Sequence, residues 1–366
     1  MQEPRQSSTY CSRPWNELHI EEDGKVTPCC VMPSNRFPMG NNLKEYVEGE
    51  ALSDLKYALS NGIKHKNCEW CWDNEKNNMS SHRSFDTPQD SGYTHMHLRL
   101  SNVCNFKCRM CGPAFSSSWA QENRKHKIFK FDNSEINKDI FRDNEYLFTL
   151  LQNEISAGRL RAINISGGEP LITDAHWKLL NFLIDNDLTN ISLSYSTNLS
   201  NIHYKNINLL DLWNKFNSVT LEASCDGWGK AVEYSRTGFN RKTFLKNLRE
   251  VLPRVRVDIN CVVNIYSVWT LLDIEKFREN LGINVHYSPC YLPEILNPQR
   301  LLREDKDKLK DLYKGKPSLE KLFVDLIDTD LPVLGRSMVK YNKTLDRYRG
   351  TRFFDVFPQY EKYEYL

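Results

Sequence analysis

The chain lacks any apolar run approaching the roughly 20 residues that cross a bilayer. It has almost no net charge, with 49 Lys and Arg against 47 Asp and Glu. That balance excludes the broad basic footprint of a general nucleic-acid or membrane binder. Its first ten residues, from Met1 to Tyr10, are polar and lack the apolar segment of a secretory signal. It has no internal repeat and no low-complexity tract. These absences leave a globular chain of 366 residues, long enough for one large domain and a small one. They point to a reducing cytoplasm.

Cysteine is not scarce. Eleven cysteines in a reducing compartment favour metal binding or catalysis over disulfides. Cys11, Cys29, Cys30, Cys68 and Cys71 fall in the first fifth of the chain. Cys104, Cys108 and Cys111 form a tight trio, whereas Cys225, Cys261 and Cys290 are scattered and suit buried packing. Residues 1–75 are also rich in Trp, Gly and Pro and read as a small metal-stapled unit. Residues 76–94 read as a polar connector, 95–290 as the main domain and 291–366 as a helical extension with an unusually aromatic tail.

From residue 95 the pattern alternates strand-like and helix-like segments, which argues for α/β with a parallel sheet. Six strands are expected, at 95–101, 161–166, 191–197, 219–226, 254–263 and 283–288. Within several of them apolar and polar residues alternate, as in Met96, Leu98 and Leu100 against His97, Arg99 and Ser101. A dry parallel sheet reads as a continuous apolar run instead. The alternation fits a curved sheet with helices outside and a polar, ligand-filled inner face. An antiparallel sheet with one wet face is the alternative, against which the long connections argue.

The trio has Cys-x-x-x-Cys-x-x-Cys spacing and follows the first of these strands. A 4Fe–4S cluster normally takes four thiolates, so three leave one iron open for chemistry. The same spacing would also make one stripe on a helix, but Asn102, Asn105, Gly112 and Pro113 favour a loop. A second turn, Gly167-Gly168-Glu169-Pro170, ends the second strand. Its glycines allow close backbone approach to a ligand, and Glu169 can accept charge-assisted bonds from an ammonium group. Ligands of α/β sheets sit at such carboxyl ends.

Together these motifs resemble the radical S-adenosylmethionine superfamily, over roughly residues 95–290. The resemblance implies a partial (β/α)6 TIM-like barrel. It implies that Cys104, Cys108 and Cys111 hold a 4Fe–4S cluster whose open iron is chelated by the methionine moiety of S-adenosyl-L-methionine. A 5′-deoxyadenosyl radical would then abstract hydrogen from a peptide or small-molecule substrate. Gly167, Gly168, Glu169 and Pro170 would form the cofactor turn. Asn198, in Ser196-Thr197-Asn198, resembles the family's Thr-Asn-Gly turn, with Leu199 in the glycine's place. Ser224 lies in a Ser-x-Asp-Gly-like turn, and Arg236 in a Tyr-x-Arg element whose arginine can pair with the cofactor carboxylate. Met110 stands where an aromatic residue is usual.

The N-terminal stretch resembles the twitch domain, the shortened relative of the SPASM domain. The resemblance implies a small N-terminal iron–sulfur domain with a second 4Fe–4S cluster on Cys11, Cys29, Cys68 and Cys71. Zinc is the rival for four thiolates, although only Cys68 and Cys71 form a knuckle. Cys30 reads as a packing residue. Such domains generally follow the barrel, whereas this one precedes it. A fully ligated second cluster suits electron transfer, which favours a net oxidation and needs a low-potential donor such as flavodoxin or ferredoxin. Glu222 and Arg99 occupy the polar faces of their strands, where they either pair with one another or bind a polar substrate. Glu222 is the candidate catalytic residue. A non-catalytic, metal-stabilised binding protein explains the N-terminal cysteines but not the trio with its turn.

Overall fold

The computed structural model describes residues 7–32, 43–76, 81–85, 92–130, 136–141 and 145–366. Twelve strands occur among them: β1 (Glu17–Ile20), β2 (Val26–Thr27), β3 (His95–Arg99), β4 (Lys107–Cys108), β5 (Ala162–Ser166), β6 (Ser192–Thr197), β7 (His203–Tyr204), β8 (Ile207–Asn208), β9 (Ser218–Ser224), β10 (Arg236–Thr237), β11 (Arg256–Val263) and β12 (Val285–Pro289). All six expected strands are present, as β3, β5, β6, β9, β11 and β12. The α/β class with a parallel sheet is therefore as expected, and no closed barrel forms among the described residues.

The chain divides into two compact units. The first comprises residues 1–102, 137–195 and 204–219, and the second 103–136, 196–203 and 220–366. In the first unit the order is β2-β1-β3-β5-β6. The pairs β1–β3, β3–β5 and β5–β6 are parallel, and only β2 runs antiparallel, to β1. The N-terminal segment thus adds two strands beside β3. Asp23-Gly24 makes the tight turn between them, with Gly24 at φ +81°. Buried positions alternate along β3 and β5, with Met96, Leu98, Ile163 and Ile165 fully buried.

The other face of this sheet is polar. His19, His97, Asn164 and Ser194 lie in register on four successive strands. The imidazoles of His19 and His97 stack with centroids 5.7 Å apart, and Asn164 donates to Ser194 Oγ at 2.9 Å. The alternation read from the sequence therefore separates an apolar face from a polar one.

In the second unit β9, β11 and β12 are parallel neighbours, with Glu222 opposite Asp258 and Ser224 opposite Asn260. β4 and β10 form a separate antiparallel pair that places Arg236 opposite Cys108. The C-terminal region is helical: Arg303–Tyr313, Pro317–Leu326 and Gly335–Arg349. Its aromatic tail is core rather than surface. Phe353, Phe357, Tyr360 and Tyr363 are buried and pack with Tyr234 and Tyr266. No helix among the described residues is long and apolar enough to cross a membrane.

Candidate iron–sulfur and cofactor sites

Two cysteine sites are built separately, one in each unit. In the second unit the trio lies in a loop interrupted by the two residues of β4, not on a helix. The following helix, Ser117–His126, anchors the loop at its start. Ser116 caps it by accepting from Trp119 N at 3.2 Å and donates to Phe106 O at 2.6 Å. Cys104 N donates to Ser117 Oγ at 3.1 Å, and Ser118 Oγ donates to Cys104 O at 2.7 Å.

The carbonyls of Lys107, Cys108 and Arg109 are each held from outside the loop. Arg349 Nη1 donates to Lys107 O at 2.8 Å, Trp119 Nε1 to Cys108 O at 3.1 Å and Tyr341 Oη to Arg109 O at 2.6 Å. The Arg109 side chain is wholly buried among Asp346, Asn342 and Thr351, with its guanidinium 3.7 Å from the Tyr234 ring centroid. These backbone restraints turn the thiols' loop into a fixed frame. Sequence reading missed Arg109, Tyr341, Arg349 and Trp119. The available signal was an arginine inside the trio and an aromatic, Arg-rich C-terminal stretch.

The second-unit cofactor candidates cluster around this loop. Asn198 is buried and donates to Asn105 Oδ1 at 3.0 Å, and Asn105 donates to Ser200 Oγ at 2.9 Å. Leu199, in the glycine's place of the resembled turn, adopts φ +51°. The turn therefore demands the left-handed conformation that glycine takes freely. Arg236 does not stand alone. Its Nη1 donates to the buried Asp226 at 2.6 Å, whose other oxygen accepts from Val262 N at 2.8 Å. Asp226 thus aims the arginine, while Arg236 Nε is buried without a partner. Ser224 ends β9, two residues before Asp226. Met110 packs against the C-terminal aromatic core.

Glu222 is partly buried and accepts from Ser196 Oγ at 3.3 Å. Arg99 pairs with Glu21 and lies 3.8 Å from Glu22. Pairing of Arg99 with Glu222 is one of two alternatives in the sequence, and in the structure Glu21 and Glu22 supply counter-charges to Arg99. Once β1 joins β3, the acidic turn after β1 supplies the arginine's counter-charges.

In the first unit, Gly167 has φ +90° and Gly168 φ +43°. A Cβ on Gly167 would lie 2.4 Å from Arg99 Cγ and 2.7 Å from Ser101 O, so only glycine fits there. Glu169 is buried, and its Oε1 accepts from Leu171 N at 3.1 Å, capping the short turn Pro170–Ile172. Pro170 occupies the first position of that turn, where no N–H is needed. The carboxylate thus has a structural task in this turn.

The structure brings the four N-terminal cysteines together. Cys11, Cys29, Cys68 and Cys71 line one cavity, with Arg13, Trp70, His82 and Arg83 around them. Cys68 ends the 3-10 turn Lys66–Cys68, and Cys71 follows on the helix Glu69–Lys76. Arg83 closes the unit by pairing with Glu75 at 2.7 Å and donating to Tyr10 O at 2.8 Å. Cys30, expected as a packing residue, is exposed, with its Sγ 3.7 Å from His82 Nδ1.

The N-terminal donor set fits an iron–sulfur cluster. Among the described residues no three His, Cys, Asp or Glu side chains converge as a single metal ion would require. The four N-terminal thiols instead surround a cavity, which suits a cluster that gives each thiolate its own iron. Burial pushes the Cys29, Cys68 and Cys108 thiols up to about 12. Each is therefore a neutral thiol until metal displaces its proton.

Comparisons with known proteins agree on the N-terminal site. Residues 11–73 match the SPASM family, an iron–sulfur cluster-binding domain. Its place at the start of the chain is as read from the sequence. Among solved structures, the chain is similar to native anSMEcpe with bound AdoMet, at 18% identity over 64% of this chain and 64% of that one, with a TM-score of 0.45. It is also similar to Streptococcus suis SuiB bound to precursor peptide SuiA, at 14% identity over 81% of this chain and 56% of that one, with a TM-score of 0.41. The chain thus spans less than two thirds of the length of either structure. No curated protein matches it in sequence.

Proposed function

We propose that the chain is a radical S-adenosylmethionine enzyme carrying out a net oxidation or cross-link on a peptide or small-molecule substrate. The observation that carries this reading is the three-thiol loop, clamped at three successive carbonyls, in a chain that also matches a second iron–sulfur domain. Cys104, Cys108 and Cys111 would hold the catalytic cluster, and Cys11, Cys29, Cys68 and Cys71 the second. When bound, the catalytic cluster and S-adenosylmethionine supply reductive carbon–sulfur cleavage and a 5′-deoxyadenosyl radical.

The chain's own residues bind and orient. Arg236, aimed by Asp226, offers its unpartnered Nε to a carboxylate. Gly167 and Gly168 let a ligand approach the backbone, and the Glu169 carboxylate is of the kind that accepts charge-assisted bonds from an ammonium group. Asn198 and Ser224 supply neutral hydrogen bonds. Glu222 holds a polar substrate on the inner face of β9. Cys11, Cys29, Cys68 and Cys71 would hold a fully ligated cluster, whose chemistry there would be uptake of one electron from a substrate as it is oxidised, which is the reason for preferring oxidation to isomerisation. A low-potential flavodoxin or ferredoxin is the expected donor.

The deciding experiment is anaerobic reconstitution followed by iron and sulfide analysis and a dithionite-driven cofactor-cleavage assay. Two clusters with release of 5′-deoxyadenosine support the proposal. Bound zinc, or clusters without cleavage, would leave a metal-stabilised binding protein.

A further inference from the structure

The outward face above the trio is strongly basic, although the whole chain is nearly neutral. On the helix Gly335–Arg349, Arg336, Lys340, Lys343 and Arg347 recur at i, i+4, i+7 and i+11, and all four are exposed. That spacing draws one stripe along a helix. Lys125 and Lys127, at the end of the helix Ser117–His126, are exposed too. Two ring stacks bring the patches together: His126 on Tyr348 at 4.3 Å and Phe129 on Tyr341 at 5.8 Å. Lys343 pairs with Glu364 of the C-terminal turn Pro358–Tyr365 at 2.5 Å, so Arg336, Lys340 and Arg347 with Lys125 and Lys127 carry the patch, and the acidic side chains of the two helices themselves do not offset it. Glu122 and Asp346 are buried and paired, Glu122 with Arg349 and Lys107, Asp346 with Arg109.

The same two helices hold the trio from behind. Tyr341 donates to the carbonyl of Arg109, and Trp119 to that of Cys108. Trp119, Phe129 and Tyr341 form a continuous aromatic contact, with Trp119 and Phe129 5.7 Å apart. The basic surface therefore stands one side chain away from the backbone of the cluster loop.

We infer that this face is the docking surface for an acidic one-electron carrier protein that reduces the cluster held by Cys104, Cys108 and Cys111. The inference rests on the proposed function and adds where the electron enters. In the step, the reduced carrier loses one electron and the oxidised cluster gains it, with no bond made or broken. Opposite charge steers such an encounter and makes it salt-dependent. A nucleic acid would also be drawn to basic charge, but placement directly behind the trio favours a redox partner.

The test is binding of a purified acidic flavodoxin, in its oxidised form, to the reconstituted protein at low and high salt. The expected result is salt-weakened binding that the double variant Lys340→Glu with Arg347→Glu weakens by about tenfold or more. Flavodoxin-driven cofactor cleavage should fall equally, whereas dithionite-driven cleavage should be unchanged. Undiminished flavodoxin binding by the variant overturns the surface. So does tighter binding of a short single-stranded RNA than of flavodoxin. Should the variant not fold, carbodiimide cross-linking of the wild type decides. Cross-links at Lys125, Lys127, Lys340 or Lys343 support the surface, and their absence from all four overturns it. Failure of dithionite-driven cleavage in the wild type would instead remove the proposed function, and the binding measurement stands apart from it.

Discussion

Asp346 accepts from Arg109 Nη2 at 2.6 Å, across 237 residues of sequence and wholly inside the protein. Arg109 sits between two cysteines of the trio, and Asp346 on the helix Gly335–Arg349. Removing one partner of a buried pair leaves an uncompensated charge, at a cost of about 3–5 kcal/mol. Asp346→Ala and Arg109→Ala should each destabilise the protein by that order, read as a shift in denaturation midpoint. Arg109→Lys should not rescue, because one ammonium cannot span Asp346, Asn342 and Thr351.

The two cysteine groups should be separable. Cys104→Ala with Cys108→Ala and Cys111→Ala should remove about half of the iron, by the count of one cluster in two, and all cofactor cleavage. Cys68→Ala with Cys71→Ala should remove the other share and leave cleavage measurable. Cleavage by the first triple variant would contradict the assignment of the trio.

Gly167→Ala tests the turn. Its φ of +90° and the 2.4 Å approach to Arg99 forbid a side chain without backbone movement. A cost of about 1–3 kcal/mol follows from the strained conformation alone. Cofactor affinity, measured by equilibrium dialysis, should fall with it.

His176 is fully buried, its Nε2 3.0 Å from Tyr195 Oη, and burial lowers its pKa to about 3. Its folded value lies below the unfolded value of about 6.5. Above pH 6.5 the residue is neutral in both states and stability is complete. As pH falls from about 6.5 toward about 3, only the unfolded chain takes up the proton. Stability should then drop by up to about 1.4 kcal/mol per pH unit from this residue. Urea denaturation at pH 7 and pH 5 reads the difference, and His176→Gln should shrink it. An unchanged difference in that variant would assign the acid sensitivity elsewhere, for instance to the His19 and His97 stack, whose values fall to about 3 and about 4 by burial.

Glu222→Gln should retain both clusters and still release 5′-deoxyadenosine slowly without substrate, yet lose substrate turnover. Ser196 Oγ can still donate to the amide oxygen, so the fold is expected to persist. Normal turnover would return Glu222 to a structural role on the polar face.

Local pattern alone determined a large part of this protein. The six strands, their two-faced alternation and the loop geometry of Cys104, Cys108 and Cys111 follow from residue order, because periodicity and turn residues act over a few neighbours. The grouping of Cys11, Cys29, Cys68 and Cys71 was given by the family resemblance, spacing alone marking only Cys68 and Cys71. What only the tertiary structure decided lies in long-range pairing. The partner of Arg99 became Glu21 once β1 paired with β3. Arg236 acquired Asp226 as its aligning carboxylate, and Arg109 acquired Asp346. The aromatic tail from Phe353 to Tyr363 became core. Each of these depends on which elements meet in space. A charge or a ring on one segment does not encode its partner, and burial turns those pairings into requirements.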